Sequence, residues 1–298
     1  MAQSKSFFGL RRGSTKTLTF SVYNGKQVTK DRVTDVKNPR SSMQMKQRAI
    51  MATALRGYSA LKEICDHSFE GISYGQKSMN YFVAENARMI RSYAPNVNLS
   101  LYKGNSVSNA YIISKGSLGE VNLLKVQNEG RNYFSININA ITASTTFADF
   151  MGNFGATQIG DMVTIVTLID NPGGNTSVYF VRLHLTEGNK NKVIGSSGSD
   201  GEILSMLEEG TDYETNIDNF NSADFPLSWT GTSLFIGEGT LVSNPVPQSM
   251  GIIVSRKTDT GWLRSPSTMI NLGNTFNYSD ALITYPESGE KILNGGNM

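Results

Sequence analysis

The side chains that most often carry out catalysis are scarce in this sequence. There are two histidines, His67 and His184, and one cysteine, Cys65. The histidines lack the spacing of a metal site such as HExxH, and Cys65 falls in an apolar pattern typical of a buried thiol. No GxSxG, Walker or GxGxxG motif follows a predicted strand, so neither acyl transfer nor nucleotide binding is indicated. We therefore predict that the chain is not an enzyme and that it holds no metal and no cofactor.

Positive charge is concentrated in the N-terminal third. Residues 1–91 contain 16 Lys/Arg and 6 Asp/Glu, a net charge of +10, and residues 92–298 contain 11 and 19, a net charge of −8. Cations at this density favour phosphate groups or an acidic protein surface. The predicted partner or nucleic-acid contacts are Arg11, Arg12, Lys16, Lys26, Arg40, Lys46 and Arg48. Solubility alone, and neutralisation of the two parts within one fold, are the other interpretations.

A second candidate lies in the segment 251–265, GIIVSRKTDTGWLRS. A turn at Asp259-Thr260-Gly261 would bring the two ends of this segment together as paired strands. A guanidinium above an indole ring forms a cation–π contact, which is a common element of recognition surfaces. The predicted recognition cluster consists of Arg256, Lys257, Trp262 and Arg264. The alternative is a buried tryptophan with charged residues on the flanking strands.

The basic residues lie on a predicted hairpin and helix. Leu18, Phe20 and Val22 alternate with polar residues, and Asn24-Gly25 is typical of a two-residue hairpin turn. After Pro39, apolar residues at three- and four-residue steps predict an amphipathic helix to about residue 66. A second helix is predicted from about residue 75 to about residue 91.

Beyond residue 96 the pattern changes to β-strands. β-Branched and aromatic runs alternate with turn signals. Seven such runs are AYIIS, EVNLLKV, NYFSINI, MVTIVTLI, SVYFVRLHL, SLFIG and MGIIVSR. The predicted fold class is α+β: an N-terminal β-hairpin plus two amphipathic helices, followed by antiparallel β-sandwich-like domain(s). The predicted division is 1–95 for the basic arm, hairpin and helices, 96–194 for a first β-rich domain, and 195–298 for a second one or a continuation of the sandwich.

One long hairpin is predicted around the turn sequence Asn171-Pro172-Gly173-Gly174. Its first strand is expected to pair with its second so that Ile165, Thr167 and Ile169 face Val178, Phe180 and Arg182 or their neighbours. The segment 195–201, GSSGSDG, is expected to form a flexible loop or a joint between domains.

The sequence also indicates the cellular compartment in which the protein is made. No run approaches the roughly 18 apolar residues that cross a bilayer, and no export signal is visible at the N-terminus. A single cysteine excludes an intramolecular disulfide framework. These features predict a protein made in a reducing cytoplasm, without a membrane partner.

The N-terminal third also resembles a known group of proteins. The order of a basic start, a hairpin, the stretch NPRSSMQMKQR at 38–48 and a long helix is similar to uncharacterised proteins of gut Bacteroides-type bacteria and of their phages and mobile elements. Such asparagine-proline-arginine stretches before a helix also resemble segments of phage structural proteins. The resemblance covers about residues 5–90 and implies no catalytic residues.

The resemblance implies a phage context, and within that context three features favour a phage-type virion structural protein, capsid-associated or another subunit of a multi-copy assembly: the scarcity of catalytic groups, the basic N-terminal arm, and the opposite charges of the two parts of the chain. Its partners would be copies of itself, with DNA or RNA as a possible further partner of the N-terminal region. It would be made in the host cytoplasm and then enter the virion. The alternative is a sequence-tolerant nucleic-acid-binding protein of a phage or mobile element.

Overall fold

The computed structural model describes most of the chain in two compact units, Met1–Ser41 and Ser42–Met298. The described residues are 2–4, 12–23, 26–32, 41–93, 101–102, 110–128, 131–170, 176–195, 200–217, 227–236, 247–271 and 282–283.

The N-terminal unit is a four-stranded antiparallel sheet with the strand order β1-β4-β3-β2. Its strands are β1 (Ala2–Ser4), β2 (Gly13–Ser14), β3 (Leu18–Tyr23) and β4 (Lys26–Asp31). The predicted hairpin is confirmed, because β3 and β4 pair from Leu18 opposite Asp31 to Tyr23 opposite Lys26. Its turn residues, Asn24 and Gly25, lie outside the described residues.

The second unit begins with the two predicted helices. They are α1 (Ser42–Cys65) and α2 (Gln76–Tyr93). A third helix, α3 (Phe147–Gly152), was not predicted, although Thr146 and Asp149 form a capping box at its start. One turn of 3-10 helix covers Leu204–Met206. None of the helices in the described part of the chain is long and apolar enough to cross a bilayer.

The remaining strands of the second unit follow in chain order. They are β5 (Leu101–Tyr102), β6 (Ile112–Ser114), β7 (Leu124–Asn128), β8 (Arg131–Asn137), β9 (Met162–Asp170), β10 (Thr176–His184), β11 (Asp200–Glu202), β12 (Tyr213–Thr215), β13 (Leu227–Thr230), β14 (Ser233–Ile236), β15 (Pro247–Thr258), β16 (Gly261–Arg264), β17 (Ser267–Thr268), β18 (Ile270–Asn271) and β19 (Leu282–Ile283).

These strands form two larger antiparallel sheets and two short pairs. The central sheet has the order β12-β10-β9-β15-β16, with β18 also paired to β15, and the outer sheet has the order β11-β13-β14-β8-β7. The short pairs are β17 with β6 and β19 with β5. The predicted α+β class is therefore confirmed. Each larger sheet combines strands from 96–194 with strands from 195–298; the predicted domain boundaries themselves stay a prediction.

Two apolar cores lie on opposite faces of the central sheet. Buried side chains of both larger sheets share the first core, which includes Trp229 of β13 and Ile165 of β9. The second core joins α1 and α2 to the other face of the central sheet, with Phe82 of α2 and Val166 of β9 among its members. The unit thus has three layers: helices, central sheet and outer sheet.

The predicted long hairpin of β9 and β10 is confirmed, and of the registers that the sequence left open the structure has the one through the neighbouring positions. Ile165 lies opposite Val181 and Thr167 opposite Tyr179, one residue away from positions 180 and 178. A shift of one residue moves every side chain to the other face of a strand. In consequence Val181 points into the first core, and Arg182 lies on the face that is turned toward the helices. Residues 171–175 of the turn, and 196–199 of the predicted flexible loop, lie outside the described residues.

Candidate functional site

The described basic residues of the N-terminal unit lie on exposed positions of its sheet. Arg12 precedes β2, Lys16 lies between β2 and β3, and Lys26 begins β4; all three are exposed. Cross-strand partners share one face of a sheet, so the pairs Tyr23–Lys26 and Thr19–Lys30 place two lysines and a tyrosine that is 72% exposed on one face. We call Tyr23, Lys26 and Lys30 the basic face.

On the opposite face of this sheet, the side chains of β3 are apolar and their partners on β4 are the polar Gln27, Thr29 and Asp31. Leu18, Phe20 and Val22 alternate with the residues of the basic face and are half-buried. Gln27 is the one fully buried side chain among the described residues of the unit. The two faces of the sheet therefore differ: one carries the exposed basic residues, and the other carries the half-buried apolar side chains of β3. The described part of the sheet contains no fully buried apolar side chain.

The other predicted contacts of the basic region are placed differently. Lys46 and Arg48 lie in α1, which belongs to the second unit, and Arg48 is exposed. Arg11 and Arg40 lie outside the described residues. The structure thus divides this set between two units, and its role as a contact surface stays a prediction.

The second predicted cluster is divided by the central sheet. Strand β15 pairs with β16 so that Arg256 lies opposite Leu263, Lys257 opposite Trp262, and Ser255 opposite Arg264. Because side chains alternate along a strand, Arg256 points to the face of the first core while Trp262 and Arg264 point to the helix side. Lys257 is exposed on the same face as Trp262.

Arg256 is fully paired on its side of the sheet. Its Nε donates to Asp161 Oδ1 at 2.8 Å and its Nη2 donates to Asp161 Oδ2 at 2.7 Å. The carboxylate is almost completely buried. This bidentate geometry raises the pKa of Arg256 above its ordinary value, chiefly through the hydrogen bond and against the effect of burial.

Trp262 and Arg264 line a pocket between the helix side of the central sheet and the end of α1. The pocket has a volume of about 260 Å³. Its floor follows the register of the sheet: Ser255 lies opposite both Arg264 and Met162, and Thr164 lies opposite both Ile253 and Arg182. Its roof comes from α1 and the following turn, which supply Glu63, Ile64, His67 and Ser68.

The guanidinium of Arg264 is buried in this pocket with a neutral partner. Arg264 is 8% exposed, and its Nε donates to the carbonyl oxygen of His67 at 2.7 Å. Its Cζ lies 4.7 Å from the centroid of the Trp262 ring, which is a cation–π geometry. No carboxylate oxygen of a described residue lies within 4.0 Å of the guanidinium nitrogens of Arg264.

A second guanidinium reaches the same pocket from β10. Arg182 forms an ion pair with Glu214 of β12, and its Nε donates to Thr164 Oγ1 at 3.1 Å. The pKa of Arg264 is lowered to about 10, first by burial and second by the positive charge of Arg182, while Glu70 acts in the opposite direction. Among the described residues, Arg182 has a carboxylate as its ion-pair partner and Arg264 has none, so only the more distant charge of Glu70 acts to offset Arg264.

Glu70 and Gly116 hold the main chain of Arg264 in place. The carboxylate of Glu70 accepts hydrogen bonds from Ser117 N at 2.8 Å and from Arg264 N at 3.2 Å. Burial alone would raise the pKa of Glu70, but these bonds and the charge of Arg264 lower it below its ordinary value. A Cβ on Gly116 would lie 2.1 Å from the Arg264 carbonyl oxygen, so this close approach requires glycine.

Sequence reasoning missed Arg182, Glu70 and the helix-end residues of this pocket. Arg182 and His184 alternate with the apolar Val181 and Leu183, and this alternation is a usable signal for a polar face. His184 Nε2 lies 3.9 Å from Glu214 Oε1. Burial lowers the pKa of this histidine, the charge of Glu214 opposes that effect, and the charge of Arg182 adds to it. No comparable signal connects His67 to Arg264, which are 197 positions apart.

The pocket brings two guanidinium groups beside an indole ring, and guanidinium groups are suited to hydrogen-bond anions such as carboxylates and phosphates. Within the described ranges, no three His, Cys, Asp or Glu side chains are arranged to hold a metal ion. Comparisons with protein-family models, curated proteins and solved structures found no match to this chain. The resemblance to phage structural proteins therefore stays a prediction.

Proposed function

We propose that this chain is a phage-type virion structural protein, a capsid-associated or other subunit of a multi-copy assembly whose N-terminal sheet contacts a neighbouring copy. The observation that carries the proposal is the composition of that sheet. Its described part contains one fully buried side chain, the polar Gln27, while Leu18, Phe20 and Val22 are only half-buried. Four short strands of this kind need an additional apolar surface to be stable.

The distribution of charge favours a second copy as the source of that surface. Residues 1–41 contain 9 Lys/Arg and 2 Asp/Glu, a net charge of +7, and residues 42–298 contain 18 and 23, a net charge of −5. Opposite charges on two parts of one chain attract copies to each other head to tail. Heterologous contacts of this type generate rings, filaments or shells.

The test is the native mass of the full chain by light scattering, with nucleic-acid absorbance measured on the same peak. We expect wild type to form a discrete particle much larger than the 32.6 kDa single chain. Lys26→Glu combined with Lys30→Glu reverses the basic face and should reduce the mass toward that of one chain. Lys77→Glu combined with Arg88→Glu makes the same charge change at exposed positions of α2 and should preserve the particle.

Two results would contradict the proposal. One is a wild-type single chain at all protein concentrations; the other is an unchanged particle in the Lys26→Glu, Lys30→Glu variant. A single chain or dimer that co-purifies with nucleic acid, and releases it steeply as salt is added, would instead favour the nucleic-acid-binding alternative.

A further inference from the structure

The pocket beside α1 contains a buried positive charge that has no ion-pair partner among the described residues. Taking a charged group out of water is costly unless the group is paired, and the unpaired state is among the most destabilising features of a protein interior. Arg264 is 8% exposed, and the partner of its side chain is the neutral carbonyl of His67. The C-terminal end of α1 offsets part of this charge, because the dipole of a helix is negative at that end.

The charges around the pocket define how much negative charge a ligand should bring. Arg182 is already paired with Glu214, and Glu70, which accepts hydrogen bonds from the main-chain N–H groups of Ser117 and Arg264, offsets part of the charge of Arg264. Glu63, an exposed residue of α1, also lines the pocket and repels a ligand with two negative charges more strongly than a ligand with one. Arg264 has no ion-pair partner among the described residues, so the charges match a monoanion better than a dianion such as phosphate.

The other walls indicate what is attached to the anion. Ile64, Met162 and Ile253 contribute apolar surface, and Trp262 is 39% exposed while one face of its ring lies against Arg264. The volume of about 260 Å³ exceeds that of a bare anion. A planar or branched apolar body can pack against these walls while its charged end reaches Arg264.

We propose that this pocket binds a small monocarboxylate, with the carboxylate on Arg264 and an apolar or aromatic body against Trp262. A carboxylate is planar and accepts two parallel hydrogen bonds from one guanidinium. The site goes beyond the proposed role in assembly, because all of its residues belong to the second unit of a single chain.

Calorimetric titration of the full chain tests this site with three probes. Benzoate carries the charge and the ring, benzamide has the same shape without the charge, and inorganic phosphate has the charge without the ring. We expect benzoate to bind at least about tenfold more tightly than benzamide, since a charged hydrogen bond contributes roughly one such factor or more. Phosphate should bind more weakly than benzoate. Equal binding of benzoate and benzamide, tighter binding of phosphate, or no binding of benzoate would each overturn the proposal.

Three variants locate the binding site. Arg264→Gln should weaken benzoate by about tenfold or more. Arg88→Gln removes a cation from an exposed position of α2 that does not line the pocket, and it should bind benzoate like wild type. Unchanged affinity in Arg264→Gln would overturn the assignment, and so would an equal loss in Arg88→Gln.

The third variant keeps the test decisive if Arg264→Gln does not fold. Trp262→Ala changes a partly exposed side chain, so the fold should be retained while benzoate affinity falls severalfold and benzamide affinity falls equally. Benzoate should also alter the fluorescence of wild type, because Trp262 lines the pocket while Trp229, the other tryptophan, is buried in the first core. Unchanged benzoate affinity in Trp262→Ala would overturn the proposal.

Discussion

Two arginines on neighbouring strands, Arg256 and Arg264, show how differently one sheet treats the same side chain on its two faces. Arg256 meets a buried carboxylate in bidentate geometry, and Arg264 meets a carbonyl oxygen and the face of an indole ring. The first arrangement contains its own counter-charge, whereas the second leaves room for a counter-charge from outside. A buried arginine is therefore informative about binding only when its partners are known.

The largest expected difference is between the unfolding free energies of two variants in which Arg256 or Arg264 is replaced by methionine, an apolar side chain of similar length. Arg256→Met leaves Asp161 buried without its ion-pair partner and should lower the free energy of unfolding by about 3 kcal/mol or more. Arg264→Met removes a buried charge that has no ion-pair partner among the described residues, but it also removes the hydrogen bond to His67 and the contact with Trp262. Because these effects oppose each other, the free energy of unfolding should stay within about 1 kcal/mol of wild type. Urea denaturation measures both.

Lys115→Met provides the reference for an exposed ion pair. Lys115 pairs with Glu85 across partly exposed positions, and such pairs are worth less than about 1 kcal/mol. Equal losses in Arg256→Met and Arg264→Met would show that Arg264 has a compensating partner in the free protein.

The next largest effect is expected where Gly116 lies close to the carbonyl oxygen of Arg264. Gly116→Ala would place a methyl group 2.1 Å from the Arg264 carbonyl oxygen, so the main chain must move. Such overpacking typically costs about 1–3 kcal/mol of unfolding free energy. It should also weaken any ligand that binds the Arg264 guanidinium, because the strand that holds the side chain is displaced.

Gly119→Ala is the matched control for this substitution. A Cβ at Gly119 meets no atom within 4 Å, so its unfolding free energy should stay within about 0.5 kcal/mol of wild type. If both alanine variants unfold like wild type in urea, the contact at Gly116 does not constrain the strand.

The smallest expected effect concerns the acid sensitivity of Glu70. Its folded-state pKa lies below the ordinary value of 4.5, so its contribution to stability is complete above that pH and is lost as the pH falls through the lowered pKa. Glu70→Gln should therefore be less stable than wild type at neutral pH, by less than about 1 kcal/mol. The difference should shrink in acid, as measured by urea denaturation at several pH values. A difference that is constant with pH would exclude the ionised form as the stabilising species.

Local patterns were sufficient to predict most of the elements. The alternation of Leu18, Phe20 and Val22 predicted the N-terminal hairpin, and three- and four-residue steps predicted α1 and α2. Helix α3 was missed because six residues contain less than two turns of any periodic pattern.

The register of the long hairpin could not be predicted because β9 is buried on both of its faces. Val163 and Ile165 enter the first core, while Val166 and Leu168 enter the second. A strand of this kind reads as a continuous apolar run, so alternation gives no information about which face a residue occupies.

The pocket could be predicted only in part. The two-residue turn at Asp259-Thr260 determines that Arg256 lies opposite Leu263, and so places Arg256 and Arg264 on opposite faces. That step could have been taken from the sequence alone. The approach of the α1 end to β16 depends on packing between distant segments, for which a single sequence carries no local signal.

The burial of the central strands on both faces also determines how the second unit should open in solution. A backbone amide exchanges its hydrogen for deuterium only when its hydrogen bond breaks, and β9, β10 and β15 cannot separate without exposing both cores. Amides of these three strands should therefore exchange only through complete unfolding of the unit and share one high free energy of opening. The amides of the helices and of the outer sheet can exchange earlier, through openings that expose one core alone.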